Sequence, residues 1–206
     1  MCGRYVITKA VYKTKNIVKA AINVDDNENY NAHPYQKLPV IKKYNNGNTI
    51  ESLKWGIIPS WAKKKDYKPL INARLETIDE KISFKKLIKT HRCIAVADGY
   101  YEWKRFEKEK IPYFFYRQDK KPIFFAGVYD KNEFCLITRE ASKNVLDIHH
   151  RQPVIINQKD INNYLNIELN GHNFLSGYQC PELGFYQISK DVNKPLNNNI
   201  SLIQKI

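Results

Sequence analysis

The sequence predicts an α+β fold: a mostly antiparallel, barrel-like curled β-sheet with a few peripheral helices, in a single domain over residues 1–206. Three observations point there. From Arg92 onward the chain is a succession of short alternating runs broken by turn residues, the pattern of antiparallel strands. Helical periodicity is confined to short stretches. An apolar content of 43% is enough to bury one sizeable core.

The elements follow in order. After a short opening strand, "AVYKTKNIVKAAI" repeats apolar residues at helical spacing and predicts an amphipathic helix over 10–22. "NVDDNENYNAHP" reads as a polar loop. "KLPVIKKYNNGNTIESLKWGII" sets two alternating runs on either side of an Asn/Gly-rich turn, which is a hairpin. "TIDE" has capping-box form, Thr77 with Glu80, and predicts a helix carrying Ile82, Leu87 and Ile88. "RCIAVADGYYEWKR", "IPYFFYR", "KPIFFAGVYD" and "EFCLITRE" are strands, with "QDKK" turning the second into the third. "RQPVII" adds a strand, "QKDINNYL" a short helix capped by Asn157, and "GFYQISKDV" a last strand.

No apolar run approaches the length of a membrane span, and the first thirty residues lack a signal peptide's apolar stretch. A soluble cytoplasmic protein with no membrane partner is expected. Cys2, Cys93, Cys135 and Cys180 are scattered without C-x-x-C spacing, which argues against a zinc site. An intracellular location argues against a disulfide framework. The formal net charge of +13 favours polyanionic partners, nucleic acid above all. Only seven of the 34 basic residues are arginine, however, and abundant lysine, asparagine and isoleucine also fit an AT-rich genome. The arginines are therefore the more informative cations. Arg4, Arg74 and Arg151 all fall in the motifs below.

"MCGRY" places a cysteine where removal of Met1 would make it the N-terminus. Cys2 would then carry an α-amine and a thiol on adjacent carbons. The amine, with an unperturbed pKa of about 7.7–8.0, is far more nucleophilic near neutrality than a lysine. It can condense with an aldehyde to an imine, and the neighbouring sulfur can add to the imine carbon, closing a five-membered thiazolidine. On position alone, a second-residue cysteine is usually incidental. Asn72 of "INAR" lies in an alternating run, with Arg74 on the same face if the segment is extended; the plainer reading is a turn-forming Asn with a surface Arg. Glu102 of "GYYEW" sits among aromatics that would raise its pKa and suit it to proton transfer, unless the strand turns it to solvent. His149 and His150 of "IHHR" point to opposite faces of an extended segment, so a metal pair is not expected. One of them reads as a general acid, a phosphate contact or a hydrogen-bonded structural histidine. Trp55 is expected in the core, and Trp61, next to a lysine run, as a partly exposed stacking surface.

Taken in order, "MCGRY", "YNAHPYQKLPVI", "LKWGIIPSWAK", "INARLET", "RCIAVADGYYEWKR", "CLITREA", "IHHRQPVI" and "ISKDVNKPLNN" resemble the SOS-response-associated peptidase (SRAP) family, the abasic-site processing proteins. The resemblance runs from residue 1 to about residue 199. It implies that Met1 is lost, by self-cleavage or otherwise. Cys2 then captures the ring-opened aldehyde of an abasic site in single-stranded DNA, first as a Schiff base and then as a thiazolidine. Asn72 would hold Cys2 and the sugar, Glu102 would shuttle protons and assist Met1 removal, and His149 would act on the ring oxygen. Arg4, Arg74 and Arg151 would contact phosphates, with Thr138 near the same site. Pro34 and Trp61 would shape the kinked strand. The resemblance calls for no metal and no cofactor, and for a monomer that is nucleoid-associated when on DNA. His33, Tyr35 and Gln152 depart from the residues commoner in the family. Three other readings share these residues: a turnover abasic-site lyase, a peptidase or hydrolase using Cys2, and a non-covalent single-strand-binding module.

Overall fold

The structure, a computed structural model, describes residues 2–19, 21–24, 28–45, 47–62 and 67–206. β1 (Tyr5–Ile7) leads into α1 (Ala10–Val18) and β2 (Ala21–Asn23). β3 (Asn29–Ala32) precedes the hairpin of β4 (Lys37–Tyr44) and β5 (Gly47–Trp55), and β6 (Asn72–Arg74) follows. After α2 (Leu87–Thr90) come β7 (Arg92–Ala97), β8 (Gly99–Phe106), β9 (Glu109–Arg117), β10 (Ile123–Asp130) and β11 (Glu133–Glu140). α3 (Lys143–Leu146), β12 (Arg151–Pro153), α4 (Ile161–Leu165), α5 (Gly171–Leu175) and β13 (Leu183–Gln187) complete the order. No helix among the described residues is long and apolar enough to cross a membrane.

The fold class expected from the sequence is the one observed. One sheet runs β12-β11-β10-β7-β4-β5-β2, with β6 on β11, and a further β11–β5 pairing curls it into a ring. The β11–β5, β11–β6 and β2–β5 pairs are parallel; the other strand pairs are antiparallel. The ring encloses the main core, in which Trp55, Phe124, Phe125 and Phe134 are fully buried. A second sheet, β13-β9-β8-β1-β3, carries the N-terminal strand in its interior.

Asp98, between β7 and β8, and Gly99, the first residue of β8, lock that strand in place. Asp98 Oδ2 accepts the N–H groups of Thr8, Lys9 and Ala10 at 2.6, 3.0 and 3.1 Å. It thereby satisfies the orphan donors at the start of α1, whose own N-cap, Lys9, supplies no side-chain bond. Gly99 has no room for a side chain, because a Cβ would collide with the Phe114 ring.

Several expected elements differ. The first helix ends at Val18, and the chain turns into β2. The polar stretch before Pro34 includes β3, because Tyr30 and Ala32 are buried where the strand pairs with β1; residues 25–27 of that stretch lie outside the described residues. "TIDE" does not open one continuous helix. Buried Ile78 and Phe84 are six residues apart, a spacing that one helical face does not provide, so the chain turns between them and Ile82 is exposed. Helix resumes only over α2. "QDKK" carries the chain from the second sheet into the ring, since β9 pairs with β8 and β13 while β10 pairs with β7 and β11. Asn157 does not cap its helix; its Nδ2 donates to the Tyr178 hydroxyl and the Gln179 carbonyl instead.

Candidate active site

Cys2 is 0% exposed. Its Sγ lies 3.9 Å from the Arg4 carbonyl, which also accepts the Tyr101 N–H at 3.0 Å. That second bond extends the β1–β8 pairing toward the N-terminus and lays Cys2 along the part of β8 that carries Glu102. Burial first, and then the nearby Glu102 carboxylate, push the thiol well above an ordinary cysteine. Glu102 is itself buried, and desolvation pushes its carboxyl above the usual range. A carboxyl in that setting keeps its proton to higher pH and can donate it. Tyr5 and Tyr100 wall the site: burial and the Cys2 thiol push both phenols up. Tyr5 packs on Trp55 with ring centroids 5.0 Å apart, and Tyr100 stacks on Phe115 at 4.8 Å.

Asn72 comes from β6, which runs parallel to β11 with Leu136 opposite Asn72 and Thr138 opposite Arg74. Ala73 is buried between them, so Asn72 and Arg74 share the other face, as the extended reading required. Asn72 Nδ2 donates to the Cys2 carbonyl at 3.0 Å. Its Oδ1 is buried and accepts no hydrogen bond from a described residue. An unmet acceptor is costly, and this one lies one amide away from the Cys2 backbone.

His149 lies two residues before β12, and its Nδ1 is 3.0 Å from the Arg151 amide nitrogen and 3.1 Å from the Arg151 carbonyl oxygen. Burial foremost, with lesser contributions from the charges of His150 and Arg105, pushes this ring down to about 4. His149 and His150 do not point to opposite faces; their rings stack at 4.5 Å and 22°. The pair occupies the bend between α3 and β12, where strand alternation does not apply.

The three arginines expected at phosphates divide. Arg74 is exposed on β6. Arg151 is buried, with Nη1 and Nη2 donating to the two Glu76 carboxylate oxygens at 2.8 and 2.9 Å. Its Nη2 also donates to the Thr138 carbonyl at 2.8 Å and to its hydroxyl at 3.3 Å. Arg4 is half-buried and spends Nη1 on Asn31 Oδ1 at 2.6 Å and the Val192 carbonyl at 2.8 Å. Asn31 in turn donates to the carbonyls of Val192, Lys194 and Asn197, which gives the "DVNKPLNN" segment its role: it fastens β3 and Arg4 from outside. Thr138 is buried and donates its hydroxyl to the Ala73 carbonyl at 3.4 Å.

Pro34 is partly exposed, in the turn where Tyr35 adopts a φ of 77°. Trp61 is 53% exposed, with the Tyr67 ring set edge-on at 5.3 Å. It lines a cleft with Ile82, Lys86, His91 and Lys131. Trp55 is in the core, its Nε1 donating to the Ile71 carbonyl at 2.9 Å.

Cys2, Asn72 and Glu102 are thus brought together directly. Thr138, Arg151 and His149 are linked to Asn72 through β11 and β12. Sequence reasoning missed Tyr5 and Tyr100 beside the thiol and Glu76 against Arg151. An acidic residue in the otherwise cationic "NARLET" was the one available signal for Glu76. The Gln152 departure acquires a use: its Oε1 accepts both the N–H and the hydroxyl of Ser142, at 2.9 and 3.0 Å, holding the turn that leads through α3 to His149.

Comparison with known proteins gives the family. Residues 1–195 match the family model "SOS response associated peptidase (SRAP)". The chain is 34% identical to abasic site processing protein YoqW of Bacillus subtilis strain 168, over 99% of each. It is 28% identical to abasic site processing protein YedK of Escherichia coli strain K12, over 100% of each. Among solved structures, the fold resembles that of a protein from Bacteroides thetaiotaomicron, with a TM-score of 0.84 and 24% identity over 100% of both chains. The chain belongs to the SOS response associated peptidase family.

Proposed function

We propose that this protein processes abasic sites in single-stranded DNA by covalent capture on Cys2 once Met1 has been removed. The Cys2 α-amine attacks C1′ of the ring-opened sugar, and water leaves as the imine forms. The thiol then adds to the imine carbon, its proton passing to the nitrogen, to give a thiazolidine. One water is lost overall, and no oxidant or cofactor is needed. Glu102, buried beside Cys2, suits the proton transfers of imine formation. His149, whose burial keeps the ring neutral near pH 7, suits base or hydrogen-bond work at the sugar's ring oxygen. Asn72 anchors the Cys2 carbonyl, and its open Oδ1 suits a hydroxyl or N–H of the captured sugar. Arg74, exposed on the same strand, suits a flanking phosphate. An abasic nucleotide has no base to unstack, so it is cheaper to draw into such a buried site than an intact one.

The observation that carries this reading is the conjunction at Cys2: a carbonyl fixed by Asn72 and a thiol held beside a buried carboxyl. The test is incubation with single-stranded DNA bearing one abasic site, followed by denaturing electrophoresis and intact-mass measurement. A species heavier by the DNA minus one water, lacking Met1, is expected. Cys2→Ala should give no heat-stable adduct, although its amine can still form a borohydride-trappable imine. The same heat-stable adduct from Cys2→Ala would sink the mechanism. Strand breaks that accumulate beyond one per protein molecule would make it a lyase instead.

A further inference from the structure

β8 carries more than Glu102. Alternation places Tyr100, Glu102, Lys104 and Phe106 on one face and Tyr101, Trp103 and Arg105 on the other. The second face begins in protein contacts: the Tyr101 hydroxyl donates to the Tyr30 carbonyl, and Trp103 Nε1 to Asn193 Oδ1, each at 2.8 Å. The first face begins at Cys2 and opens outward. Tyr100 and Glu102 are buried, Lys104 is half-buried, and Phe106 is 60% exposed at the end of the strand. β9 continues this face, with Tyr113 opposite Glu102, Ile111 opposite Lys104 and Glu109 opposite Phe106. β13 widens it with Phe185, 38% exposed, whose ring meets Tyr113 edge-on at 6.0 Å. An apolar and aromatic band therefore leads away from the reacting centre. Lys104 lies on this face and Lys108 in the turn at its end, beside exposed Glu107, while Arg105 and Lys110 edge the hairpin from its other face and Glu109 is paired with Lys190 at 3.1 Å.

We propose that this sheet face is a stacking platform for the bases of the DNA strand that runs on past the lesion, with Phe106 as its outermost ring. The inference rests on the abasic-site reading above and deepens it by naming where the flanking strand lies. Single-stranded nucleic acid is the occupant that fits both features, since every base has a face to stack and every linkage a phosphate to meet a cation. Phe106 is four residues beyond Glu102, about 13 Å along the strand. That distance is about four nucleotides at a stacked rise of 3.4 Å, and fewer in an extended strand. A substrate trimmed close to the lesion cannot reach the ring.

The test uses the full chain in a Cys2→Ala background with a tetrahydrofuran abasic analogue, which has no aldehyde for the remaining amine, so that binding is read at equilibrium and apart from capture. Fluorescence anisotropy compares a long single strand bearing a central abasic site with strands trimmed to one nucleotide on the 5′ side or on the 3′ side. Phe106→Ala is expected to weaken binding to the long strand by about 5- to 20-fold. Phe106→Trp should restore it, and Phe106→Leu, which keeps bulk without a ring, should stay weak. Trimming one side should erase the difference between Phe106 and Ala, and that side identifies the strand polarity. Equal binding by Phe106→Ala and the parent on the long strand would overturn the platform, as would the same loss on every length. Phe106 is exposed, so folding is not at issue, and circular dichroism checks it. Crosslinking by the protein with Cys2 intact, measured in parallel, reports separately on the abasic-site reading.

Discussion

Removing the Glu76 carboxylate tests how Arg151 is held. The Arg151 side chain is 7% exposed and that of Glu76 40%. Glu76 accepts both guanidinium nitrogens of Arg151 and also the Glu140 N–H at 2.9 Å. Deleting one partner of a buried ion pair costs about 3–5 kcal/mol, because the survivor stays buried and uncompensated. Here water can enter from the exposed side of Glu76, which discounts the loss for Glu76→Ala to about 1.5–3 kcal/mol. For a chain of this length that lowers the melting temperature by about 3–12 °C. The pH dependence is a second check. Burial raises the Glu76 pKa, but the Arg151 hydrogen bonds and the Glu140 amide outweigh it, and the net shift is downward. A depressed carboxyl stabilises the fold fully above its unfolded value of about 4.3, and loses that contribution as pH falls through the lower folded value. Urea denaturation of the parent, Glu76→Ala and Glu76→Gln from neutral to acid pH should show a gap that is constant near neutrality and closes below about pH 4. Glu76→Gln, which keeps an acceptor without charge, should fall between the two. A gap under about 0.5 kcal/mol at neutral pH, or one that widens in acid, would refute the reasoning.

Two other outcomes follow from the same geometry. Arg74→Gln should make the plot of log affinity for single-stranded DNA against log salt shallower by about 0.7, whereas Arg151→Gln should change the slope far less, because Glu76 already neutralises that charge; equal changes would contradict the division between the two arginines. Asp98→Ala should cost about 1–2 kcal/mol and speed amide exchange at Thr8, Lys9 and Ala10, and unaltered exchange there would remove its role as the cap of α1.

The strands were the most legible part of the chain. "RCIAVA" and "EFCLITRE" alternate or run apolar because they line a closed ring, and burial writes itself into such segments. What stayed hidden depends on partners distant in sequence. No local pattern says that β9 and β10 belong to different sheets, since the turn between them looks the same in either topology. The helix expected at "TIDE" rested on a cap signal four residues long, and the wide spacing of its buried residues overrode it. At the site, Cys2, Asn72 and Glu102 were nameable from their motifs, yet their adjacency arises from the pairing of β1 with β8 and from the Asn72 bond to Cys2. The surroundings of the arginines were hidden for a related reason. A sequence shows the cation, but only the fold shows whether a carboxylate or carbonyl has already engaged it, as at Arg4 and Arg151.

The burial of Cys2 bears on the order of events in the proposed reaction. A thiol whose pKa is raised by desolvation and by a neighbouring carboxylate remains protonated near neutrality and is a poor first nucleophile. The amine must therefore attack first. Once the imine carbon is formed four bonds along the chain from the sulfur, the sulfur needs only to lose its proton as the new bond closes the five-membered ring, and the intramolecular geometry compensates for its weak ionisation. A Glu102 carboxylate that has given its proton to the departing water is then the nearest base for the thiol. The same environment that slows the thiol toward other electrophiles thus reserves it for the one carbon that the amine delivers. On this logic Glu102→Gln should slow capture at the imine and at ring closure alike, whereas Asn72→Ala, which frees the Cys2 carbonyl, should act by loosening the position of both nucleophiles together.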